Sequence, residues 1–468
     1  MPEGGHPDFQ MDCRTVLVVS EQAMYRSGNQ VLPQAILAYL RSGFRVILLI
    51  RDWKGSEVAK PEELFGKYAS DLSVVPFRPL GDSIRDLLEA RAGRPQRRNR
   101  SDGQSPPVAY ASPGEVIPFT STYNHSRLLS FFGFLACILS GLWRGLRILS
   151  RARVDLICGF ETHGAPIARV LASLFRLPLV TKYQGTFLGS YLPSRWRMFV
   201  HFPAHFIGTW SRSDLVVMEE DGTRGREVLL RLGHHPERIR SWAAGVKKDL
   251  RIPGIDRRGV LARLGIPADP EPRVVLTLSK LHAWKRLDRA ISAMPAVLKT
   301  LPHAYLVLAH RGPERERLEA LARRLGVGGR VVFTGPVPHG EVKHLLNSCD
   351  VLLSVNDHSN LSNTVLEALA CGKPVVSIDD ASTVGFLEQG MNALLVPLDR
   401  IGEDLPGAIV RVLIDDELRA RLGRGARSVA EEKLLSWEER MELEVKEIAR
   451  LLRRRRPPAR VTMGRAAR

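Results

Sequence analysis

A loop of small polar residues followed by a short apolar helix occupies His358 to Ser377, HSNLSNTVLEALACGKPVVS. We predict Asn363 as the N-cap of this helix and Gly372 as its end. Free N–H groups and the helix dipole at such a start attract a phosphate or diphosphate. Glu367, the carboxylate within the helix, is suited to accept hydrogen bonds from two neighbouring sugar hydroxyls, as carboxylates do from ribose. On spacing alone, the simpler interpretation is that Glu367 only gains from the dipole near the helix start.

Two lysines strengthen the case for an anion site. In LSKLHAWKRLDRAI, Lys280 follows a predicted strand and Lys285 precedes a predicted helix. Two ammonium groups converging on a diphosphate would neutralise it and would stabilise negative charge on a departing nucleoside diphosphate. The alternative for any such pair is two solvated surface lysines, so the prediction depends on both facing the same cleft as the helix start.

The elements around these residues predict two α/β domains. A chain of 468 residues is too long for a single core, and its 44% apolar content suits packed globular domains. Short β-branched runs alternate with helical patterns from Thr15 to Glu220, and the alternation restarts at RVVLTLSKL after a charged, Gly- and Pro-broken connection at 244–272. We expect two Rossmann-like, doubly wound domains whose strand ends face each other across a central cleft, where ligands of such sheets bind.

The expected boundaries follow from this alternation. We place an N-terminal Rossmann-like domain at 14–250 and a C-terminal Rossmann-like domain at 258–432; the resemblance described below implies that the first binds the acceptor and the second the nucleotide sugar. A C-terminal helix at 434–456 is expected to pack back on the N-terminal domain, and the basic tail 457–468 is expected to be disordered.

Several segments resemble a known family in order and spacing. LSKLHAWKRLDRAI, YLVLAHRGPERERLEALARRLGVGGRVVFTGPVP, CDVLLSV, LSNTVLEALACGKPVVSID and the late SWEER are similar to the retaining glycosyltransferases of the GT-B fold, in the glycosyltransferase family 4 group (glycosyl transferases group 1). The first half resembles that family more loosely, through SGNQVLPQAILAYLRSGFRVILL, VDLICGFETHGAPIA, PLVTKYQGTF and SDLVVMEE. The resemblance implies a GT-B fold and a nucleotide-sugar donor.

The resemblance also implies roles for individual residues. Lys280 and Lys285 stand where the family has an Arg and a Lys that grip the donor diphosphate, and Glu367 matches the glutamate that binds the donor ribose. A second family glutamate, which contacts the donor sugar, falls on Ser359 here. Ser359 or Asn360 still offers a hydrogen bond to a sugar hydroxyl, but the missing charge weakens the contact by ~1 kcal/mol or more.

In the first domain, the resemblance places Gly28 in a glycine loop that approaches the diphosphate and acceptor. Gln184 replaces a common His, and Glu161 and His163 lie at a strand end on the acceptor side. We take Gln184 and Glu161, with the two lysines, as catalytic candidates; the alternative for each is a turn or packing residue. The predicted donor-binding residues are Gly28, Lys280, Lys285, Ser359, Asn360, Leu361, Ser362, Asn363 and Glu367.

The mechanism implied by the family is substitution on the donor with retained anomeric configuration. The leaving diphosphate would act as base toward the acceptor hydroxyl. We expect no metal and no other cofactor, because cationic residues and helix dipoles take the part that a metal held by Asp-x-Asp plays elsewhere, and the chain has no such motif.

The chain is strongly basic, with a net charge of +18, which favours anionic partners. The runs Arg91–Arg100 and Arg450–Arg468 are best interpreted as solvated charge, and we expect no nucleic-acid binding because no recognition motif accompanies them. Five scattered cysteines without a CxxC pattern indicate reduced thiols of a cytosolic protein. The polar N-terminal MPEGGHPDFQMDCR does not resemble a secretory signal.

One apolar stretch, Leu128–Trp143, is followed by Arg144, Arg147, Arg151 and Arg153. It is shorter than the ~20 residues of a spanning helix. Two interpretations stay equally open: docking into the headgroups of an anionic leaflet, and plain core packing. The first leads us to expect a cytoplasmic protein held peripherally at the inner face of the membrane.

Taken together, these features predict a glycosyltransferase that moves a sugar from a nucleotide-diphosphate donor to a glycan or lipid-linked acceptor in cell-envelope polysaccharide or glycolipid synthesis. The alternative, motivated by Ser359, is a non-catalytic nucleotide-sugar-binding or scaffold protein on a GT-B frame.

Overall fold

The computed structural model describes residues 14–21, 31–51, 60–78, 127–247, 249–380, 382–383 and 385–454. Gly28, Cys13, the arginine run 91–100 and the tail 457–468 lie outside these ranges, so the predictions made for them are not addressed by the structure.

Two parallel sheets form the frame. The first contains seven strands: β1 (Thr15–Ser20), β2 (Arg45–Arg51), β3 (Leu72–Phe77), β4 (Leu156–Phe160), β5 (Leu179–Tyr183), β6 (Leu215–Glu219) and β7 (Ile239–Trp242). The second contains six: β8 (Arg273–Leu278), β9 (Ala304–Ala309), β10 (Val331–Gly335), β11 (Val351–Ser354), β12 (Val375–Asp379) and β13 (Ala393–Pro397). Most of these strands are buried on both faces, as helix-covered parallel sheets require.

The helices cover both sheets. In the first half they are α1 (Val31–Arg41), α2 (Pro61–Phe65), α3 (Arg127–Leu149), α4 (Glu161–Phe175), α5 (Arg195–His201), α6 (Pro203–Trp210) and α7 (Gly225–Arg231). In the second half they are α8 (Arg257–Arg263), α9 (Leu287–Thr300), α10 (Arg315–Arg324), α11 (His339–Ser348), α12 (Asn363–Ala370), α13 (Ile401–Ile414), α14 (Asp416–Lys433) and α15 (Trp437–Arg454).

The strand order of each sheet identifies where a ligand would bind. The first sheet runs β3-β2-β1-β4-β5-β6-β7 and the second runs β10-β9-β8-β11-β12-β13. Each order reverses direction once, between β1 and β4 and between β8 and β11. Doubly wound sheets bind ligands outside the carboxyl ends of their strands at such a reversal. The two Rossmann-like domains predicted from the sequence are confirmed.

The connection predicted at 244–272 is more regular than expected. It contains α8, whose N-cap Asp256 accepts a hydrogen bond from the backbone N–H of Gly259 at 2.9 Å. Arg257 in this helix reaches Asp350, 2.7 Å away, and so fastens the connection to the second sheet. The Gly and Pro content concealed a capped helix of about two turns within the segment.

The last helix, α15, packs on the first domain and not on the second-domain sheet it follows. The hydroxyl of Tyr39 in α1 donates to Glu444 in α15 at 2.8 Å. The backbone of Gly245 passes so close to Trp437 that a Cβ at this glycine would lie 2.6 Å from the Trp437 Cα. The chain therefore crosses the boundary between the domains twice.

Helix α3 has one packed face and one exposed face. Gly141 and Gly145 lie directly against Ile167 and Leu171 of α4, at distances that a Cβ would make too short. The opposite stripe is solvent-facing, with Phe132 at 62%, Leu139 at 60% and Trp143 at 57% exposure. The stretch Phe131–Leu149 has a mean hydropathy of 1.4 and is long and apolar enough to cross a membrane by length and composition alone. The helix continues past Trp143 to Leu149, and this continuation contains the two arginines, Arg144 and Arg147, that interrupt the apolar stretch.

Candidate active site

The candidate site is the cleft where strand ends of the two sheets face each other. Phe187 from the first domain packs edge-on against Trp284 and His358 from the second, with ring centroids 6.3 and 6.2 Å apart. The backbone N–H of Leu361 donates to the carbonyl of Asp221 across the same cleft at 3.1 Å. The loops after β5, β6, β8 and β11 thus meet in one place.

Lys285 is buried in the second-domain wall of this cleft, on a short 3₁₀ turn before α9. Burial lowers the pKa of its ammonium group to about 8, with the charge of Lys280 acting in the same direction and that of Asp221 opposing it. Its Nζ lies 4.1 Å from the centre of the Trp284 ring. Lys280 is exposed at the end of β8, close enough to influence Lys285 electrostatically. The two predicted lysines are therefore brought together, one buried and one exposed.

A buried ion network holds the Lys285 turn in place. Arg286 is fully buried and pairs with Asp288 at 3.0 Å and with Asp357 at 3.5 Å. Arg289 also pairs with Asp357, at 2.8 Å. Because Asp357 belongs to the loop after β11, these pairs tie that loop to the lysine turn. These buried ion pairs therefore fix the position of the turn that carries Lys285.

The turn at His310–Gly312 packs against the backbone of Leu281, the residue that follows Lys280. Leu281 donates its N–H to the carbonyl of Arg311 at 3.1 Å. A Cβ at Gly312 would lie 2.4 Å from the Leu281 carbonyl oxygen, so only glycine permits this approach.

The start of α12 differs from its prediction by one residue. Helix α12 begins at Asn363 and its N-cap is Ser362, in extended backbone, so the assignment of Asn363 as N-cap was wrong. The Ser362 hydroxyl pairs with that of Thr364 at 3.0 Å and not with the helix backbone. The helix ends at Ala370, followed by Cys371 as C-cap and Gly372 in the left-handed region at φ 69°.

Glu367 is half-buried on α12, and burial raises the pKa of its carboxyl to about 7, with the charge of Lys247 opposing the rise. Among the described residues, no hydrogen bond to the Glu367 carboxylate is found. A half-buried acceptor to which no described residue donates suits a pair of ligand hydroxyls. The ribose contact of Glu367 stays a prediction.

The loop residues before α12 divide into two groups. Ser359 has a left-handed backbone at φ 60° and lies close enough to Asp221 to oppose the rise in the pKa of that carboxyl. Asn360 is fully buried, and its amide donates to the carbonyl of Asn356 at 3.0 Å and to Asp380 at 3.2 Å. Leu361 is buried with its N–H on Asp221. The predicted sugar contact through the Asn360 amide needs correction, since that amide is engaged in shaping the loop.

Glu161 and Gln184 are adjacent in the first-domain wall. Glu161 is the first residue of α4, with a strained φ of 58°, and its Oε1 accepts the backbone N–H of Gln184 at 2.9 Å. Gly164 allows this helix to start against β1, because a Cβ there would lie 2.3 Å from the Val19 carbonyl oxygen. Burial raises the pKa of Glu161 to about 8, and the neighbouring acids Glu219 and Asp221 add to the rise. Glu161 is thus largely uncharged at neutral pH and holds the Gln184 loop.

His163 lies deeper along α4 and forms an ion pair with Glu21, which also pairs with Arg51 at 2.7 Å. Its ring packs edge-on against Phe134 of α3, 5.1 Å away. His163 therefore connects α4 to β2 and α3.

Sequence reasoning did not anticipate Asp221. It is half-buried after β6, at the boundary of the two domains, and contacts Ser359 from the second domain. The only signal in the sequence was its place at the end of a predicted strand, SDLVVMEE, where ligand contacts of such sheets collect.

Comparison with known proteins agrees with this architecture. Residues 263–429 match the family model "Glycosyl transferases group 1". Among solved structures, the Anabaena protein HepE in complex with UDP and glucose superimposes with a TM-score of 0.64 at 16% identity, covering 93% of this chain and 99% of that one. The glycosyltransferase WaaG, involved in lipopolysaccharide biosynthesis, superimposes with a TM-score of 0.61 at 16% identity, covering 92% and 99%. The chain has the GT-B fold.

Curated relatives match part of this GT-B chain. D-inositol 3-phosphate glycosyltransferase of Acidothermus cellulolyticus is 33% identical over 232 residues, covering 47% of this chain and 50% of that protein. The lipopolysaccharide core biosynthesis glycosyltransferase LpsE of Rhizobium meliloti is 34% identical over 172 residues, covering 37% and 47%. The chain spans about half the length of these relatives. Both lysines, Ser359 and Glu367 lie inside the family match, whereas Glu161, Gln184 and Asp221 lie outside it.

Proposed function

We propose that this GT-B chain is a glycosyltransferase that moves a sugar from a nucleoside-diphosphate donor to a hydroxyl of a glycan or lipid-linked acceptor. The observation that carries the proposal is the buried Lys285 in the interdomain cleft, with the charge of Lys280 beside it, in the domain that also presents the start of α12. A buried cation with a lowered pKa gains when an anion replaces the solvent it has lost.

The donor is proposed to bind to the second domain through its two polar parts. The diphosphate would lie against the two ammonium groups and the free N–H groups at the start of α12. The ribose hydroxyls would donate to the carboxylate of Glu367, for which no described residue supplies a hydrogen bond. As the bond to the sugar breaks, negative charge grows on the diphosphate, and fixed positive groups stabilise it. We propose that these groups suffice and that no metal is needed.

Retention of the anomeric configuration is proposed from the resemblance, with the leaving diphosphate as base toward the acceptor hydroxyl. Glu161 is poorly suited to act as this base. Its raised pKa keeps its carboxyl largely protonated at neutral pH, and its Oε1 already accepts a hydrogen bond from the Gln184 backbone N–H. We therefore assign Glu161 and Gln184 to shaping the acceptor side of the cleft.

A lipid-linked acceptor of the cell envelope is proposed from two kinds of support. Similar proteins are named for lipopolysaccharide synthesis, LpsE among the relatives and WaaG among the structures. In this chain, the apolar stripe of α3 is interleaved with arginines, and the Arg147 guanidinium lies 4.6 Å from the centre of the Trp143 ring. Exposed aromatic residues continue on α5 and α6, with Trp196 at 71% and Trp210 at 52% exposure.

The α3 stripe has the chemistry of a surface that binds an anionic leaflet. Its exposed apolar residues are Phe132, Leu135, Leu139, Trp143 and Leu146. Apolar insertion and arginine–phosphate attraction act together at a headgroup boundary. Since α3 is packed on α4 through Gly141 and Gly145, we propose that it lies on the membrane and does not span it. We also propose that the protein is peripheral at the cytoplasmic face of that membrane.

The direct test combines nucleotide binding with donor hydrolysis. Thermal unfolding of the full chain is measured with UDP, GDP and ADP, and sugar release is measured from UDP-glucose, GDP-mannose and ADP-glucose. We expect one nucleotide to raise the melting temperature and its sugar conjugate to be hydrolysed slowly, because water replaces the missing acceptor. Stabilisation without hydrolysis of any donor would favour the scaffold alternative, and no stabilisation by any nucleotide would contradict both.

A further inference from the structure

Asp221 occupies a junction that belongs to both domains. It follows β6 in the first domain, and Ser359 of the second domain lies close enough to oppose the rise in the pKa of its carboxyl. Its carbonyl accepts the N–H of Leu361 at 3.1 Å. The residue is half-buried, so part of it faces the cleft.

The carboxylate of Asp221 is held in one orientation. Its Oδ1 accepts both the backbone N–H of Thr223 at 3.1 Å and the Thr223 hydroxyl at 2.5 Å. The same hydroxyl accepts the N–H of Thr186 at 2.9 Å. Oδ2 lies over Gly185, where a Cβ would be 2.3 Å away, so the bare glycine makes room for it. A carboxylate aimed in this way keeps lone pairs on Oδ2 for a further donor.

The surroundings of Asp221 are polar and carry both signs of charge, with the Lys285 ammonium group and the carboxyl groups of Glu161 and Glu219 nearby. Burial raises the pKa of its carboxyl to about 6, with Thr223, Ser359 and Lys285 opposing the rise, so the group is largely ionised at neutral pH. Nearby, the Ser382 hydroxyl is buried and, within the described part of the chain, has no hydrogen-bond partner; it lies 3.3 Å from where a Cβ of Gly222 would be. An ionised carboxylate and an unsatisfied hydroxyl beside a buried lysine suit a neutral ligand rich in hydroxyl groups.

We propose that Asp221, together with Ser359, binds hydroxyl groups of the sugar carried by the donor. Position 359 is where the resemblance implies a glutamate for this contact, and the serine there lies beside an aspartate from the facing domain. In this proposal Asp221 supplies, from the first domain, the negative charge that the second-domain wall lacks at position 359. The proposal rests on the proposed function, because it assumes a nucleotide-sugar donor.

This arrangement also predicts how the donor sugar affects the domains. Since Asp221 comes from the first domain and Lys285 from the second, a donor bound to both connects the two walls. In this proposal the main contacts of the nucleotide are the two lysines, the start of α12 and Glu367, all in the second domain. Loss of Asp221 should therefore weaken binding of the sugar conjugate and leave binding of the free nucleotide unchanged.

The experiment uses the full chain and the nucleotide pair selected in the screen, for example UDP and UDP-glucose. Asp221→Asn keeps the size of the side chain and removes its charge, and Glu220→Gln makes the same change at an exposed neighbour. We expect Asp221→Asn to bind the nucleotide as the wild type does, while its Kd for the sugar conjugate rises about 10- to 100-fold, the range for a hydrogen bond to a charged group. KM for donor hydrolysis should rise with it, and Glu220→Gln should match the wild type.

A second experiment moves the negative charge from position 221 to position 359. In Asp221→Ser combined with Ser359→Glu, the carboxylate returns to the second-domain wall, and we expect binding of the sugar conjugate to recover by about 10-fold over Asp221→Ser alone. Equal weakening of nucleotide and sugar conjugate in Asp221→Asn would overturn the proposal and assign Asp221 to domain packing. An unchanged Kd for the sugar conjugate would overturn it as well. If wild-type protein binds no nucleotide, the proposed function itself is contradicted.

Discussion

The ammonium group of Lys182 in β5 lies 2.6 Å from a carboxylate oxygen of Glu444 in α15, and both side chains are buried. Tyr39 donates to the same carboxylate oxygen, and Arg440 approaches its other oxygen at 3.4 Å. One acidic side chain from the last helix thus satisfies two groups inside the first domain, Tyr39 and Lys182, and also contacts Arg440 one turn earlier in the same helix. This cluster fixes α15 on the first domain more specifically than its apolar contacts do.

Replacing Lys182 should destabilise the first domain strongly. Lys182→Met leaves Glu444 with less compensation in a buried site, and breaking such a pair costs about 3–5 kcal/mol of the unfolding free energy. Urea unfolding followed by circular dichroism would measure the change. Lys446→Met is the matched control on the same helix, because Lys446 pairs with Glu442 at 3.6 Å on the exposed side, where a pair contributes about 0.5 kcal/mol. Equal effects of the two variants would contradict the assignment.

The same cluster predicts an acid-sensitive contribution to stability. Burial opposes ionisation of Glu444, but Lys182 and Arg440 lower the pKa of its carboxyl below the ordinary value of 4.5. A carboxyl whose folded pKa lies below its unfolded pKa adds stability above the unfolded value and loses it as the pH falls through the folded one. We expect the wild type to lose this contribution below pH 4.5, and Lys182→Met to show a smaller pH dependence over that window. Identical pH profiles would be evidence against the coupling.

Removing the Lys285 ammonium should weaken nucleotide binding. Lys285→Ala deletes the buried cation of the cleft, and we expect the Kd for the selected nucleoside diphosphate to rise about 10- to 100-fold, as for loss of a charge-assisted hydrogen bond. Titration calorimetry would measure it. Lys299→Ala removes an exposed lysine at the end of α9 and should leave the Kd unchanged. Normal nucleotide affinity in Lys285→Ala would refute the donor site.

Nucleotide binding should also depend on pH in a defined direction. Because burial and the charge of Lys280 lower the pKa of Lys285 to about 8, the free protein loses this positive charge as the pH rises through that value. We expect affinity to be constant near pH 7 and to fall between pH 8 and pH 9.5. In Lys280→Ala the neighbouring charge is gone, so the fall should move to higher pH. A fall that stays in place in Lys280→Ala would show that another group titrates.

Glu367 should discriminate between ribose and deoxyribose. If its carboxylate accepts both ribose hydroxyls, the wild type will bind the ribonucleotide about 10-fold more tightly than the 2′-deoxynucleotide. Glu367→Ala should bind the two equally, since the acceptor for both hydroxyls is lost. Competition experiments with the two nucleotides would measure the ratio. Discrimination that persists in Glu367→Ala would place the ribose elsewhere.

The exposed face of α3 should bind anionic vesicles. We expect wild-type protein to sediment with vesicles containing phosphatidylglycerol, and to be released as salt screens the arginines. Leu139→Ser combined with Trp143→Ser should reduce binding at least 10-fold, because two apolar side chains no longer insert. Ile414→Ser, at the end of α13, exchanges a residue of 51% exposure in the second domain and serves as control. Binding lost equally in the control would contradict a role for α3.

The fold was predictable because its signals are local. Runs such as TVLVVS and RVVLTLSKL are apolar over a full strand, and each predicted strand of the two sheets is found within a few residues of its expected place. Helix α8 was missed because its turn is short and flanked by Gly and Pro. The choice of Asn363 over Ser362 as N-cap failed because both residues suit the position and only the backbone decides between them.

The site was predictable only on one of its two walls. Lys280, Lys285 and Glu367 come from segments with a recognisable pattern, and the structure keeps Lys285 and Glu367 inside the fold. Asp221 does not belong to a recognisable sequence pattern. Its proposed role depends on its proximity to Ser359, which arises only when the two domains face each other. Burial also determines which side-chain amides are free to bind a ligand. The Asn360 amide looked available in the sequence, but the structure buries it fully. Tertiary contacts, and not residue type, made these differences.

The return of α15 to the first domain has a consequence for the order of biosynthesis. Translation delivers β1 to β7 first, then the whole second domain, and only afterwards the helix that covers Tyr39 and Lys182. Until that helix is made, Tyr39 and Lys182 lack the Glu444 carboxylate that binds both of them in the finished fold. The contacts of the first domain are therefore completed only after the second domain has been synthesised.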